Sequence, residues 1–472
     1  MFTSRQHQHL RHRSSSLPPR RGDHYHRSYL NEITARNSYN TDGMRERPDI
    51  EPFLGHPSHP IFSSREWNAH VWLREFRNAR GNEVRCRWLR VLAQLNTIGV
   101  VRNKNYVTDT GNHVLLKHTC PKTVLYGLHT ILRVNSTSIY PVYPQTAVRV
   151  VSGDCLHVYE DLAAQGYHPL LLNMANAYMP GGGYRRGAGA QEENIFRRSD
   201  YFFSLDKALD SEKRCEYFKI NAQGDHRRIT HNNSLYPMST FGALYTRGIT
   251  VFRDSENKGY AFLNEPVYDV CAVAMAAYPN PPLKGNHLPL EYAANTRKKI
   301  ENIFSIAHHQ KHNCLVLSAF GCGTFKNPPE DMAALFKTVI LQYAGFFHMI
   351  VFAITDGHST NGLHNPQENF VSFHNLLHNY NAVAPNLHQV GMSLGSHRIR
   401  EIHPNGRMML SDFAIAQYPC KYGGICNKTH DQGHTRCFSH PSLCSHDSRN
   451  CNTDIIHNRS FVHRSFQVHG HM

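Results

Sequence analysis

Twice in this chain an aliphatic run of the kind that fills the middle of a sheet ends in a glycine-rich loop leading straight into a helical pattern. The first is PLLLNMANAYMPGGGYRRGAGAQEENIFRR, Pro169 to Arg198, and the second is CLVLSAFGCGTFKNPPEDMAALFKTVI, Cys314 to Ile340. Units of strand, loop and helix in that order demand an α/β sheet with helices packed on its faces. The surrounding pattern agrees: AVRVV from Ala147 reads as a strand and Cys155 to Gln165 as a helix. Ile300, Ile303, Phe304 and Ala307 make a helical stripe within Asn295 to His312, and MIVFAIT reads as a strand before Asp356. After the second loop, Met332, Leu335, Phe336, Val339 and Ile340 predict another helix. Its expected start is Asn327 as N-cap with Pro328 and Pro329 in the first turn.

The flanks differ. Residues 1–64 are polar and carry 9 Arg against 6 acids, and they read as a disordered basic segment. Between 65 and 146, Trp67, Trp72, Phe76, Trp88, Leu89, Leu92 and Leu95 fall at helical intervals. A turn at Asp109 to Asn112 and a strand-like HVLLKH follow, so this stretch reads as a helical and hairpin extension. Residues 147–385 hold the α/β pattern, 386–415 a linker, and 416–472 a Cys/His-rich tail. The formal net charge of +15, from 51 Lys+Arg against 36 Asp+Glu, is spread over the whole body and favours an anionic partner. The first twenty residues contain no apolar run resembling a signal segment, and no run is long enough to span a bilayer. The expectation is an intracellular protein without a membrane partner.

Three consecutive glycines, Gly181, Gly182 and Gly183, leave backbone N–H groups unobstructed and suit a phosphate-wrapping nest, to which the following helix adds its positive end. Gly321, Gly323 and Thr324 in the second loop could close on the same diphosphate, because ligands of open α/β sheets bind at the carboxyl ends of the strands. Neither loop has the spacing of a dinucleotide fingerprint or a P-loop. Gln191, Glu192 and Glu193 open the helix after the first loop. Adjacent carboxyls crowded at a buried site raise one pKa and keep a proton near neutrality, as cleavage of a glycosidic bond requires. Acids at a helix N-terminus also simply complement its dipole.

The joint pattern of GGG, seven residues, then QEE, set in N-x-A-N-x-x-x-P-G-G-G and accompanied by GCGTFKNPPED and VFAITD, resembles the microbial-type poly(ADP-ribose) glycohydrolases over roughly Arg87 to Leu377. The resemblance implies a macrodomain-like three-layer α/β/α mixed sheet. It implies Glu193 as the acid/base, Glu192 on ribose hydroxyls and Asn176 on the distal ribose, with Gln191 in the substrate site. It also implies Gly181 to Gly183 with Gly321, Gly323 and Thr324 around the diphosphate, Phe325 against the ribose, and Asp154 on the adenine amino group, with no cofactor for catalysis. Asp154 as a surface turn is an equal alternative. Arg185 and Arg186 either add phosphate contacts or face solvent.

In the tail, Cys420-x5-Cys426-x7-His434-x5-His440 matches a closed tetrahedral zinc site, in a segment too short to fold on apolar burial alone. With Tyr422 and Phe438, it resembles the poly(ADP-ribose)-binding zinc finger, which implies Tyr422, Lys428, Arg436 and Phe438 as polymer contacts. Gln417 and Thr429 depart from that pattern. A second copy is expected at Cys444, Cys451, His457 and His463. Three function classes follow. The first is a hydrolase of poly(ADP-ribose) acting on ADP-ribosylated proteins, with the nucleus as the favoured location. The second is an ADP-ribose reader or mono-ADP-ribosyl hydrolase. The third is a zinc-finger nucleic-acid-binding protein.

Overall fold

The computed structural model describes residues 48–117, 120–127, 141–220, 225–356 and 368–384, and the backbone alone of 418–419, 438–439, 442–444 and 461–463. The chain divides into two compact units.

The first unit comprises residues up to 116 together with 185–187 and 254–264. The aromatic stripe predicted as helical forms two helices, Ala69–Asn78 and Glu83–Asn103. The break falls at Asn82, whose side chain accepts the Arg85 N–H as an N-cap, just as Asn68 accepts from Val71. Trp72, fully buried, stacks on Phe76 at 4.7 Å and donates its indole N–H to the Leu89 carbonyl, which locks the two helices together. The expected hairpin is present as strands β1 (Asn105–Val107) and β2 (His113–Leu115). The disordered segment expected over 1–64 does not extend to its end. A short helix forms at Glu51–Leu54, and Ile50, Ile61 and Phe62 are buried, apolar anchors that a composition average over sixty residues conceals.

The second unit is built on a ten-stranded mixed sheet. Its strands are β3 (Lys122–Tyr126), β4 (Gln145–Ser152), β5 (Pro169–Met174), β6 (Glu216–Ile220), β7 (His226–Ile229), β8 (Ala243–Arg253), β9 (Phe262–Met275), β10 (Cys314–Leu317), β11 (Met349–Ile354) and β12 (Asn381–Val383). Their order is β12-β4-β11-β10-β5-β9-β8-β3-β6-β7. The expected division at 146/147 therefore falls inside this unit, since β3 pairs with β8 and β6 in the same sheet. Strands β4, β11, β10, β5 and β9 run parallel. The central three, β5, β10 and β11, are covered on both faces, which is why they read as unbroken aliphatic runs. Leu170, Leu172, Leu315, Leu317, Ile350 and Phe352 join one core with Ile300, Ile303, Leu335 and Phe336 of the helices Leu290–His309 and Pro329–Gln342. The alternate residues Leu171, Val316 and Val351 are buried too, on strands that the helix Cys155–Ala164 contacts.

Two helix starts differ from expectation. The helix predicted from Asn295 begins at Leu290, and the helix after the second loop takes Pro328, not Asn327, at its N-cap position. Asn327 is instead fully buried and braces the loop, its Nδ2 donating to the carbonyls of Tyr278, Gly321 and Phe325. In the tail, β13 (Tyr418–Pro419) pairs with β14 (Phe438–Ser439) and β15 (Ser442–Cys444) with β16 (Phe461–His463), which sets Cys444 opposite His463 in register. Cys420, Cys426, His434, His440, Cys451 and His457, with Tyr422, Lys428 and Arg436, lie outside the described residues. Among the described residues no helix is long and apolar enough to cross a membrane.

Candidate active site

Strands β5 and β10 lie side by side, with Leu171 opposite Val316. From β5 the chain leads to strands on the β9 side, and from β10 to β11 and β12 on the other. That divergence makes the carboxyl edge between them a topological switch point, the place where open α/β sheets bind ligands. The two glycine loops leave β5 and β10 at this edge.

The first loop is organised by the glutamate pair. Glu192 and Glu193 occupy the first turn of the helix Gln191–Arg198 and both are buried. Glu192 Oε2 accepts the Asn176 N–H at 2.8 Å, and its Oε1 accepts from Gly181 N–H at 3.2 Å and Asn173 Nδ2 at 3.3 Å. Glu193 Oε1 accepts the Gly183 N–H at 2.9 Å, while its Oε2 is buried without a partner. Both carboxyls converge on Gly182, φ +55°: a Cβ there would stand 2.6 Å from Glu193 Oε1 and 3.3 Å from Glu192 Oε2. Burial, and then the charge of Glu193, hold the Glu192 carboxyl well above the usual range, partly offset by its N–H donors.

This arrangement corrects the expected nest. The amides of Gly181 and Gly183 serve the glutamates, and that of Gly182 donates to the Met179 carbonyl at 3.2 Å. Glycine is needed here because the loop must pass directly over two carboxyls, and not because its amides face a phosphate. The amides without an acceptor lie in the second loop. Among the described residues none accepts from the amides of Gly321, Gly323, Thr324 or Phe325, and only Cys322 between them is tied back, to Ala319. Four unpaired amides in one short loop are available as hydrogen-bond donors.

The remaining expected residues separate. Asn176 Oδ1 accepts from the amides of Tyr178 and Met179, which leaves its Nδ2 as a donor. Gln191 is not directed at a ligand: its Oε1 accepts from Met174 N–H and its Nε2 donates to the Leu172 carbonyl, clamping the helix to β5. Asp154 is no free turn residue. It N-caps the helix Cys155–Ala164 and accepts twice from Arg198 Nη1, at 2.7 and 2.8 Å. Burial would raise its carboxyl, but the Arg198 charge and hydrogen bonds outweigh this and lower it. Arg185 and Arg186 are engaged by Glu51, at 2.6 Å, and Asp49, at 3.6 Å.

Two residues of the site were given no role from sequence. Asn173 supplies a donor to Glu192 and stands in the quoted N-x-A-N pattern, so its signal was present. Tyr236 has a buried hydroxyl without a partner, and burial followed by the Glu192 charge raises it well above the phenol range. It lies about forty residues from the motif, and no local pattern marks it.

A loop of unpaired amides, a buried carboxyl pair and one uncommitted carboxyl oxygen set a context for the comparisons. Residues 94–254 match the family described as microbial-type PARG, catalytic domain. Comparison with the curated proteins gives no match. Among solved structures, the poly(ADP-ribose) glycohydrolase (PARG) from Thermomonospora curvata is 24% identical, covering 61% of this chain and 98% of its own, with a TM-score of 0.47. The PARG from Deinococcus radiodurans in complex with ADP-ribose is 25% identical, covering 54% and 93%, with a TM-score of 0.41. The family match spans Asn173, the glycine triplet, Glu192, Glu193 and Tyr236, whereas the second loop lies beyond it.

Proposed function

We propose that this protein is a glycosidase that hydrolyses the ribose–ribose O-glycosidic bonds of poly(ADP-ribose), with Glu193 as acid and base. The observation that carries the proposal is Glu193 Oε2, the one buried oxygen of the pair with no hydrogen-bond partner. Both Glu192 oxygens are engaged by N–H donors, so Glu193 Oε2 is the oxygen of the pair left to meet a substrate. It protonates the departing ribose 2′-oxygen as the C1″–O2′ bond breaks. It then accepts a proton from the water that captures the oxocarbenium carbon, so one water is consumed and the carboxyl is restored. Glu192 acts mainly by positioning Asn176 and Gly181, and its Oε2 has one lone pair left for a ribose hydroxyl. Asn176 Nδ2 donates to the distal ribose, and the amides of Gly321, Gly323, Thr324 and Phe325 hold the diphosphate, with the Phe325 ring against the ribose.

The central sheet is read as a macrodomain, on which Asp154 Oδ2 keeps one acceptor site for the adenine amino group. In the tail, Cys420, Cys426, His434 and His440 would hold a structural zinc, with Tyr422, Lys428, Arg436 and Phe438 on the polymer. The net charge suits this polyanion, and the nucleus is the expected location. Purified protein incubated with automodified polymer should release ADP-ribose. Intact polymer, with ADP-ribose still bound, would turn the reading to a non-hydrolysing reader. Product confined to single protein-linked units would indicate a mono-ADP-ribosyl hydrolase.

A further inference from the structure

At the amino ends of β5 and β10, the residues just before these strands and the later part of β9 bring together His168, His312 and Cys271. Their ligand atoms all lie within 4.8 Å of one another. Along β5 this edge is six residues from the glycine loop, about 20 Å at the rise of a strand, so the cluster takes no part in the glutamate chemistry.

Each of the two imidazoles has a backbone carbonyl at its Nδ1. His168 Nδ1 faces the Lys311 carbonyl at 3.3 Å, and His312 Nδ1 faces the His168 carbonyl at 3.2 Å. With a backbone acceptor at each Nδ1, the tautomer protonated there leaves each Nε2 as an acceptor, the outer-shell arrangement found behind metal-bound histidines. His168 Nε2 has no partner among the described residues. His312 Nε2 lies 3.0 Å from the Tyr245 hydroxyl, and the Cys271 thiol donates weakly to the Asp269 carbonyl at 3.6 Å. Cys271, His312 and Tyr245 are buried, while His168 is exposed, so the cluster opens to solvent on one side.

We propose that His168, Cys271 and His312 form a binding site for a borderline-soft divalent cation of the zinc type. Two imidazoles and one thiolate are its preferred donors, and the Tyr245 oxygen stands in reach as the fourth. Tetrahedral donors at about 2.0–2.3 Å from the ion stand about 3.5 Å apart. Closing from 4.8 Å therefore requires a shift of roughly an ångström, which the exposed His168 ring can make. On binding, the thiol releases its proton to solvent, the Tyr245 O–H turns away from His312 Nε2, and the ion takes both lone pairs. The ion would tie the starts of β5 and β10 to the later part of β9, a structural role.

The full chain should be saturated with zinc, dialysed, and its metal content measured beside Cys271→Ser and His168→Ala. One equivalent fewer is expected in Cys271→Ser. His168→Ala, at an exposed position that leaves folding intact, should retain that equivalent at least tenfold more weakly, with polymer hydrolysis unchanged. With cobalt as the probe, Cys271→Ser should lose one thiolate-to-metal charge-transfer contribution. The same stoichiometry and affinity in the wild type and His168→Ala would overturn the site and leave the trio a hydrogen-bonded cluster only.

Discussion

Gly182→Ala separates the two costs that the first loop imposes. The φ of +55° is in the left-handed region, where a β-carbon costs about 1–2 kcal/mol. The added methyl would also meet Glu193 Oε1 at 2.6 Å, well inside contact distance, so the carboxyl must move by about half an ångström or more. Misplacement of that order at a reacting group costs about a hundredfold in rate. Gly166, φ +86°, is the control, since a Cβ there meets nothing within 4 Å and stands far along the chain from the glutamates. Both alanine variants should lose about 1–2 kcal/mol in denaturant unfolding. Only Gly182→Ala should lose hydrolysis, by about a hundredfold in kcat. Comparable activity in the two variants would refute the argument that the loop's glycine exists to let the carboxyls approach.

Three further outcomes follow from the geometry. Asp154→Asn keeps the helix cap but leaves the Arg198 guanidinium, 2% exposed, without its carboxylate; about 3 kcal/mol should be lost at neutral pH, measured by denaturant unfolding. Because that carboxyl is lowered in the fold, its contribution is present above the unfolded value near 3.9 and disappears as pH falls through the folded value. The gap between variant and wild type should therefore close on acidification, and a gap that widened would contradict the pairing. Asn327→Ala removes the donor to the carbonyls of Gly321 and Phe325 in the loop and of Tyr278 beside it; binding of ADP-ribose by calorimetry should weaken by about 1–3 kcal/mol, and unchanged affinity would remove the second loop from the site. Asn173→Ala deletes one of three donors to Glu192, so the activity–pH profile should shift upward, as the anion of the pair loses a hydrogen bond. A profile that stayed in place would show that Asn173 does not tune the pair.

The parallel strands β5, β10 and β11 were legible because each is buried on both faces and reads as an aliphatic run. The long strands β8 and β9 were not. Residues 262–269 of β9 are mostly exposed or half-buried while 270–275 are buried, so neither alternation nor an unbroken run marks the element. Glu192 and Glu193 could be picked out from sequence as a crowded pair after a glycine loop. Which oxygen is left without a partner depends on three amides and an Asn173 side chain brought in by backbone path, which no spacing encodes. For the same reason the glycine triplet was read as a phosphate nest: its composition suits that role, but its N–H groups turn toward the glutamates. Asn327 looked like a cap because it precedes two prolines. Its burial against the Gly321 carbonyl is decided by the loop closing on itself.

The central claim is that Glu193 Oε2 transfers the proton that breaks the glycosidic bond. Its most direct test is release of free ADP-ribose from long poly(ADP-ribose) by the wild type and by Glu193→Gln, with ADP-ribose affinity measured for both. The account predicts release by the wild type, loss of at least a thousandfold in the variant, and affinity retained within a few-fold. Hydrolysis by Glu193→Gln at near the wild-type rate would contradict it.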